Sequence, residues 1–116
     1  MVERDESPRL AAQREVREEI GLIVEPGDLL AVDWVSQSGD FTEIVAFLYD
    51  GGVLAPADID RIVIQPIEVS CFRFVTLDEA ERLLDAEQFA RVAAGLKIRG
   101  AAETVYLENG IPPRST

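Results

Sequence analysis

Apolar residues recur every fourth position at Ala12, Val16 and Ile20, and the positions between them are mostly charged. That period predicts an amphipathic helix over about residues 8 to 20. Ser7 offers an N-cap, Pro8 suits the first helical position, and Gly21 is a natural stop. Pro26-Gly27 turns the chain. Leu29 to Ser36, with Val32, Trp34 and Val35, then reads as a strand, Ser38-Gly39-Asp40 as a hairpin turn, and Thr42 to Tyr49 as a second strand. Asp50-Gly51-Gly52 turns the chain again, and Val53-Leu54 offers a brief pairing. From Pro56 to Pro66 the flanking prolines and aspartates point to an irregular loop, with Ile62-Val63-Ile64 as a short strand the alternative. Val69 to Val75 alternates as a strand. Thr76-Leu77-Asp78-Glu79 matches a capping box that opens a helix carrying Ala80, Leu83 and Leu84. A further helix follows from about Glu87 to Arg99, with Phe89, Val92, Ala93 and Leu96 on one face and Gly100 as its end. Thr104 to Leu107 is a terminal strand or an extended tail, and Pro112 to Thr116 a frayed end. With no repeat, low-complexity segment or internal boundary, residues 1–116 read as one domain.

On the first helix, Glu15, Glu18 and Glu19 project within an arc of about 100°, at roughly 100° per residue. Three carboxylates on one edge repel one another, and local helix physics does not favour the arrangement. A hard divalent cation relieves it, since Mg2+ and Mn2+ prefer oxygen ligands. Ala12, Val16 and Ile20 fill the neighbouring arc, so one side of the helix can pack on a core while the carboxylates line its rim. Arg14 stands four residues before Glu18 and can pair with it. The plainer reading of such a run is a solvated surface helix.

Residues 14 to 22 read Arg14-Glu15-Val16-Arg17-Glu18-Glu19-Ile20-Gly21-Leu22, and Glu6 stands eight positions before Arg14. The stretch resembles the Nudix box, G-x5-E-x7-R-E-U-x-E-E-x-G-U with U aliphatic, at Glu6, Arg14, Glu15, Val16, Glu18, Glu19, Gly21 and Leu22. The leading glycine of that pattern would fall one position before Met1. The chain is therefore expected to open one residue inside the signature, without the upstream segment that in the family supplies the first strands and part of the substrate cleft. A chain shortened there is expected to be weakly active or inactive, and either to self-associate, with a homo-oligomer as one outcome, or to be marginally stable, since it exposes an unpaired strand edge and an apolar face. The resemblance implies an α+β fold, an α/β/α sandwich with a mixed sheet between helices, lacking its N-terminal strands. It also implies an additional glutamate just before an aromatic strand, as metal ligand or general base. Glu68, ahead of Phe72-Arg73-Phe74-Val75-Thr76-Leu77, stands in that position; the alternative is a solvated loop glutamate. Glu43 and Asp33 are further acidic candidates. Trp34, Phe47 and Tyr49 are aromatic residues that could stack on a base, although packing is the commoner fate of strand aromatics.

Charge and composition narrow the chemistry. The net charge is −11, from 22 acidic and 11 basic residues. Such a surface repels DNA, RNA and anionic membranes, so no nucleic acid polymer and no membrane is expected as partner. It repels nucleotides as well unless cations bridge carboxylate to phosphate. The chain has no histidine and one cysteine, Cys71. A zinc site is therefore not expected, and a histidine-based nucleophilic triad is excluded. A lone cysteine forms no internal disulfide and fits a reducing cytoplasm, with Cys71 as a core residue. No run of 18 apolar residues is present.

The resemblance then implies a Mg2+- or Mn2+-dependent pyrophosphohydrolase acting on a small nucleotide, a nucleoside diphosphate linked to a moiety X. Glu15, Glu18, Glu19 and Glu68 would hold the metal, and Glu18, Glu19, Glu68 and Arg14 would form the catalytic set. Arg14 would orient Glu18 or a neighbouring carboxylate, and Glu6 would brace the loop before the helix. The rival readings are a catalytically silent Nudix-like binding module or incomplete product, and an acidic scaffold unrelated to the family.

Overall fold

In the computed structural model, residues 2–36, 42–64 and 73–113 are described. The elements are α1 (Pro8–Ile20), β1 (Leu29–Val35), β2 (Ile44–Tyr49), α2 (Pro56–Asp60), α3 (Leu77–Leu83), α4 (Ala86–Lys97) and β3 (Val105–Glu108). This is the expected α+β class, with helices and a small mixed sheet. The chain groups into two compact units, one of Met1–Gly27 with Gly51–Phe74 and the other of Asp28–Asp50 with Val75–Thr116.

In the first unit α1 has the expected bounds. Ser7 Oγ accepts the Leu10 amide at 3.2 Å, Pro8 has no N–H that needs an acceptor, and Gly21 takes the left-handed φ of 73° with its amide donating to the Arg17 carbonyl at 2.9 Å. Ala11 is the buried position of this helix, while Ala12, Val16 and Ile20 are half-buried. Residues 56–60, read from sequence as irregular loop, form α2. Pro56 presets the first turn, and Asp58 accepts the Ala55 amide at 3.1 Å, which supplies the start that local propensity does not advertise. Ile62-Val63-Ile64 is not a strand, and the Val63 amide instead donates to the Ile20 carbonyl at 2.8 Å. The brief Val53-Leu54 pairing is not formed, and Val53 is largely exposed.

The second unit holds the sheet, in the order β2-β1-β3. β1 and β2 are antiparallel, with Val32 opposite Phe47 and Trp34 opposite Val45; β1 and β3 are parallel, with Asp33 opposite Leu107. The terminal strand is thus realised over Val105–Glu108. α4 packs through Gly95, where an added Cβ would lie 2.6 Å from Leu48 Cδ2 and 3.2 Å from Leu30 Cβ. Leu30, Ala31 and Leu107 form the apolar core here. By strand alternation Val32, Trp34 and Phe47 lie on the face opposite Asp33. The sequence set Leu96 on the packing face of this helix; it is exposed, and the buried position is Gly95. Gly95→Ala gains helix propensity of about 1 kcal/mol but overpacks the contact by about 1–3 kcal/mol. A net loss of about 1 kcal/mol is expected from that difference, and a thermal melt no lower than the parent's would contradict it.

Helix ends follow local signals closely. Thr76 Oγ1 accepts the Glu79 amide at 3.2 Å while Glu79 accepts the Thr76 amide at 3.1 Å, the reciprocal pair expected of this box. Leu84, expected in the helix, is its extended C-cap. Asp85 caps α4, which ends at Lys97, with Gly100 in the turn beyond rather than at the helix end. The first two strands stop one or two residues short of their expected limits, at Val35 and Ile44. Of the expected strand from Val69 to Val75, residues 73–75 are not in a strand. The Ser38-Gly39-Asp40 turn, residues 69–72, Glu68, Cys71 and the last three residues lie outside the described residues. Among the described residues no helix is long and apolar enough to cross a membrane.

Candidate functional site

The box helix carries an arginine at the centre of its charges. Arg14 Nε donates to Glu6 Oε2 at 2.9 Å and Nη2 donates to Glu6 Oε1 at 3.1 Å, a two-pronged pair between mostly buried side chains, 18% and 16% exposed. Its Nη1 donates to Glu18 Oε2 at 3.1 Å, the contact that the four-residue spacing allows. Glu3 and Glu15 lie farther off, at 3.7 and 3.8 Å. Glu6 is held from behind as well, since its Oε1 accepts the Glu3 amide at 3.0 Å and its own amide donates to the Glu3 carbonyl at 3.1 Å. The loop before the helix is thereby tied to the middle of the helix.

These contacts set the ionisation of the pair. The hydrogen bonds from Arg14, and then from the Glu3 amide, hold the Glu6 carboxyl below its ordinary value of 4.5. The bond to Glu6, and secondarily that to Glu18, pushes Arg14 above its ordinary range. Because the folded value of Glu6 is depressed, its contribution to stability is present above about pH 4.5 and is lost as pH falls through the lowered value. Glu6→Gln should therefore be less stable than the parent at neutral pH, with the gap closing below pH 4.5. Urea melts of both proteins at pH 7 and pH 3 test this; a gap of equal size at the two pH values refutes it.

Glu15, Glu18 and Glu19 share the helix arc, with the side chains of Glu15 and Glu18 37% and 45% exposed. Among the described residues no group of three or more acidic, cysteine or histidine side chains is gathered to hold a metal ion. Arg14 takes Glu18 through Oε2 and leaves Oε1 of that carboxylate open. The Glu19 side chain is exposed. The available donors are all carboxylate oxygens, a set that suits a hard divalent cation. Glu68 lies outside the described residues, and Glu43 is exposed at the start of β2's approach. Asp33, a further acidic candidate, is fully buried in the other unit and engaged by Arg91 and the Gly110 amide. That is a structural arrangement.

Two contacts carried no sequence signal. Arg9 reaches forward to the Gly27 carbonyl at 3.1 Å and to Glu25 at 3.4 Å, pinning the segment after the helix to its first turn. Arg61 pairs with Asp58 beside a cleft of about 380 Å³ that opens at Gly21. Neither pair stands at a spacing that marks it, beyond the three-residue step from Asp58 to Arg61. A second, apolar cavity of about 520 Å³ is lined by Val16, Val24, Val53, Ile59 and Phe74.

The profile of the NUDIX domain matches residues 1–94, which include the whole of α1 and its preceding loop. No match was found among curated proteins or among solved structures. The coincidence that an unrelated acidic scaffold would require is thereby set aside. With the match covering well over half of its length, and Arg14, Glu15, Val16, Glu18 and Glu19 on one capped helix, the chain belongs to the Nudix family.

Proposed function

We propose that the protein hydrolyses a pyrophosphate bond in a nucleoside diphosphate linked to a moiety X, with Mg2+ or Mn2+ as its cofactor. Pyrophosphate hydrolysis is the general chemistry of the family. The observation that carries it is the box helix with Arg14 locked to Glu6 and reaching Glu18. Glu15, Glu18 and Glu19 are the residues that would hold the cation, which when bound neutralises the diphosphate and acidifies a water. Arg14 restricts the rotamers of Glu18 and leaves one of its oxygens presented. Glu6 keeps Arg14 in place, a support that acts on chemistry through position rather than contact. Glu68 is proposed as the base that accepts the water's proton, or as a further ligand. The acidic surface and the lone Cys71 suit a cytoplasmic enzyme of small molecules.

The decisive experiment is hydrolysis of a panel of nucleoside diphosphate derivatives with Mg2+, with Mn2+ and with chelator. Metal-dependent release of two phosphorylated products is the expected result. No turnover on any member of the panel would remove the hydrolase reading. Glu68→Gln should lower kcat by about 10²- to 10⁴-fold, the range of general-base catalysis, with little change in stability. An unaltered rate would return Glu68 to the solvated loop. A second reading, a binding module without turnover, draws on the carboxylates of α1, of which Glu18 is tied to Arg14 and no three are gathered among the described residues. Mn2+ binding without hydrolysis would select it.

A further inference from the structure

The end of the box helix is closed by a segment from far along the chain. Besides the Val63–Ile20 bond, Val63 lies 3.4–3.6 Å from where a Cβ on Gly21 would stand, so Val63 sits on the end of α1. Arg61, two residues earlier, lines the cleft of about 380 Å³ together with Gly21, Glu25, Leu54 and Asp58. Among the described residues lining that cleft it is the sole cation. Gly21 is two residues past Glu19 and three past Glu18, so the cleft opens within one helical turn of both.

Asp58 accepts from Arg61 Nη2 and, through its other oxygen, from the Ala55 amide, which steers the guanidinium from a capped helix start. One of five N–H donors is thereby used, and the side chain stays 70% exposed. The arginines of α1 are differently employed. Arg14 is engaged by Glu6 and Glu18, and Arg9 by the Gly27 carbonyl and Glu25. Arg17 projects roughly 160° around the helix from Glu15 at about 100° per residue.

An anionic substrate approaching this end of α1 meets Glu18, Glu19 and the negative pole of the helix dipole. A guanidinium with free donors offsets that field and matches phosphate oxygens in a two-pronged geometry. We propose that Arg61 is a substrate-binding residue that takes a phosphate oxygen of the nucleoside diphosphate in the cleft at the end of α1. The proposal rests on the hydrolase reading above.

The test is calorimetric binding of α,β-methylene-ADP, a non-hydrolysable nucleoside diphosphate, in Mn2+, with Mn2+ binding alone measured alongside. Arg61→Gln is expected to weaken the nucleotide by about tenfold or more, as loss of a charged hydrogen bond would. Arg61→Lys should restore part of it, because the charge returns without the fork. Binding of Mn2+ alone, and the melting temperature, should not move. Equal nucleotide binding by parent and Arg61→Gln overturns the proposal and leaves the hydrolase reading standing. Loss of Mn2+ binding in Arg61→Gln also overturns it, because the effect would then be on the helix end. A parent that binds no analogue in Mn2+ overturns the Arg61 proposal, while the hydrolase reading is decided by the substrate panel.

Discussion

Asp33→Ala is expected to cost about 3 kcal/mol of folding stability, the lower end of the range for removing one partner of a buried charge pair. Asp33 is fully buried in the middle strand of the sheet. Its Oδ2 accepts Arg91 Nε at 2.8 Å and its Oδ1 accepts the Gly110 amide at 3.0 Å. One carboxylate thus joins β1 to α4 and to the turn after β3. Truncation leaves a guanidinium and an amide without an acceptor, and each lost bond to a charged group is costly. The lower end of the range applies because Arg91 remains 18% exposed and can recover some hydration. Asp33→Asn separates the contributions, since it keeps an acceptor for Gly110 and removes the charge facing Arg91. It should fall between parent and Asp33→Ala. Urea unfolding followed by Trp34, the sole tryptophan and the next residue in the chain, gives the measurement. A loss under about 1 kcal/mol for Asp33→Ala would show that the pair contributes no more than an exposed one.

Asp33 also marks where sequence reading stopped. An aspartate in a strand of β-formers looks like a misplaced polar residue or a site ligand, because its partners stand 58 and 77 residues away. The parallel pairing of β3 with β1 is distant in the same way, and the four residues of β3 carry too little pattern to announce it. What was legible had its cause close by. Ser7, Pro8 and Gly21 fix both ends of α1 within one turn of each end, and Thr76 with Glu79 does the same for the start of α3. The α2 helix escaped notice because five residues with two aspartates hold no hydrophobic period; its start depends on Pro56 and the Asp58 side chain. Within the box, the Arg14–Glu18 contact followed from spacing. The stronger Arg14–Glu6 pair spans a non-helical turn, where Asp5 has a left-handed φ of 59°, so helical periodicity could not place it. The family signature marks Glu6 as part of the site, while the geometry supplies the reason: it is the anchor for the arginine that faces Glu18.

The largest effect on activity is expected from Glu18→Gln and Glu19→Gln, each lowering kcat by about 10²- to 10⁴-fold if a ligand carboxylate and its assistance to proton transfer are lost together. Glutamine keeps the size and one oxygen of each side chain but removes the charge that a hard cation needs. Both residues are exposed, so neither substitution should lower the melting temperature appreciably. That separates a chemical loss from a folding loss. Arg14→Lys should behave differently. It keeps a cation near Glu18 but cannot grip Glu6 with two parallel bonds, so a reduction of about 10- to 100-fold is expected, as for a partner acting behind the ligands. The double variant Glu18→Gln with Glu19→Gln should be little worse than the poorer single one, since groups that act as a unit do not add. Paramagnetic broadening by Mn2+ reports the metal directly and needs no turnover. In the parent it should spread from the last two turns of α1, and each glutamine variant should need a higher Mn2+ concentration for the same effect. If both variants bind Mn2+ as the parent does and hydrolyse at the parent rate, the carboxylates of α1 are surface charges, and the metal site must lie elsewhere in the chain.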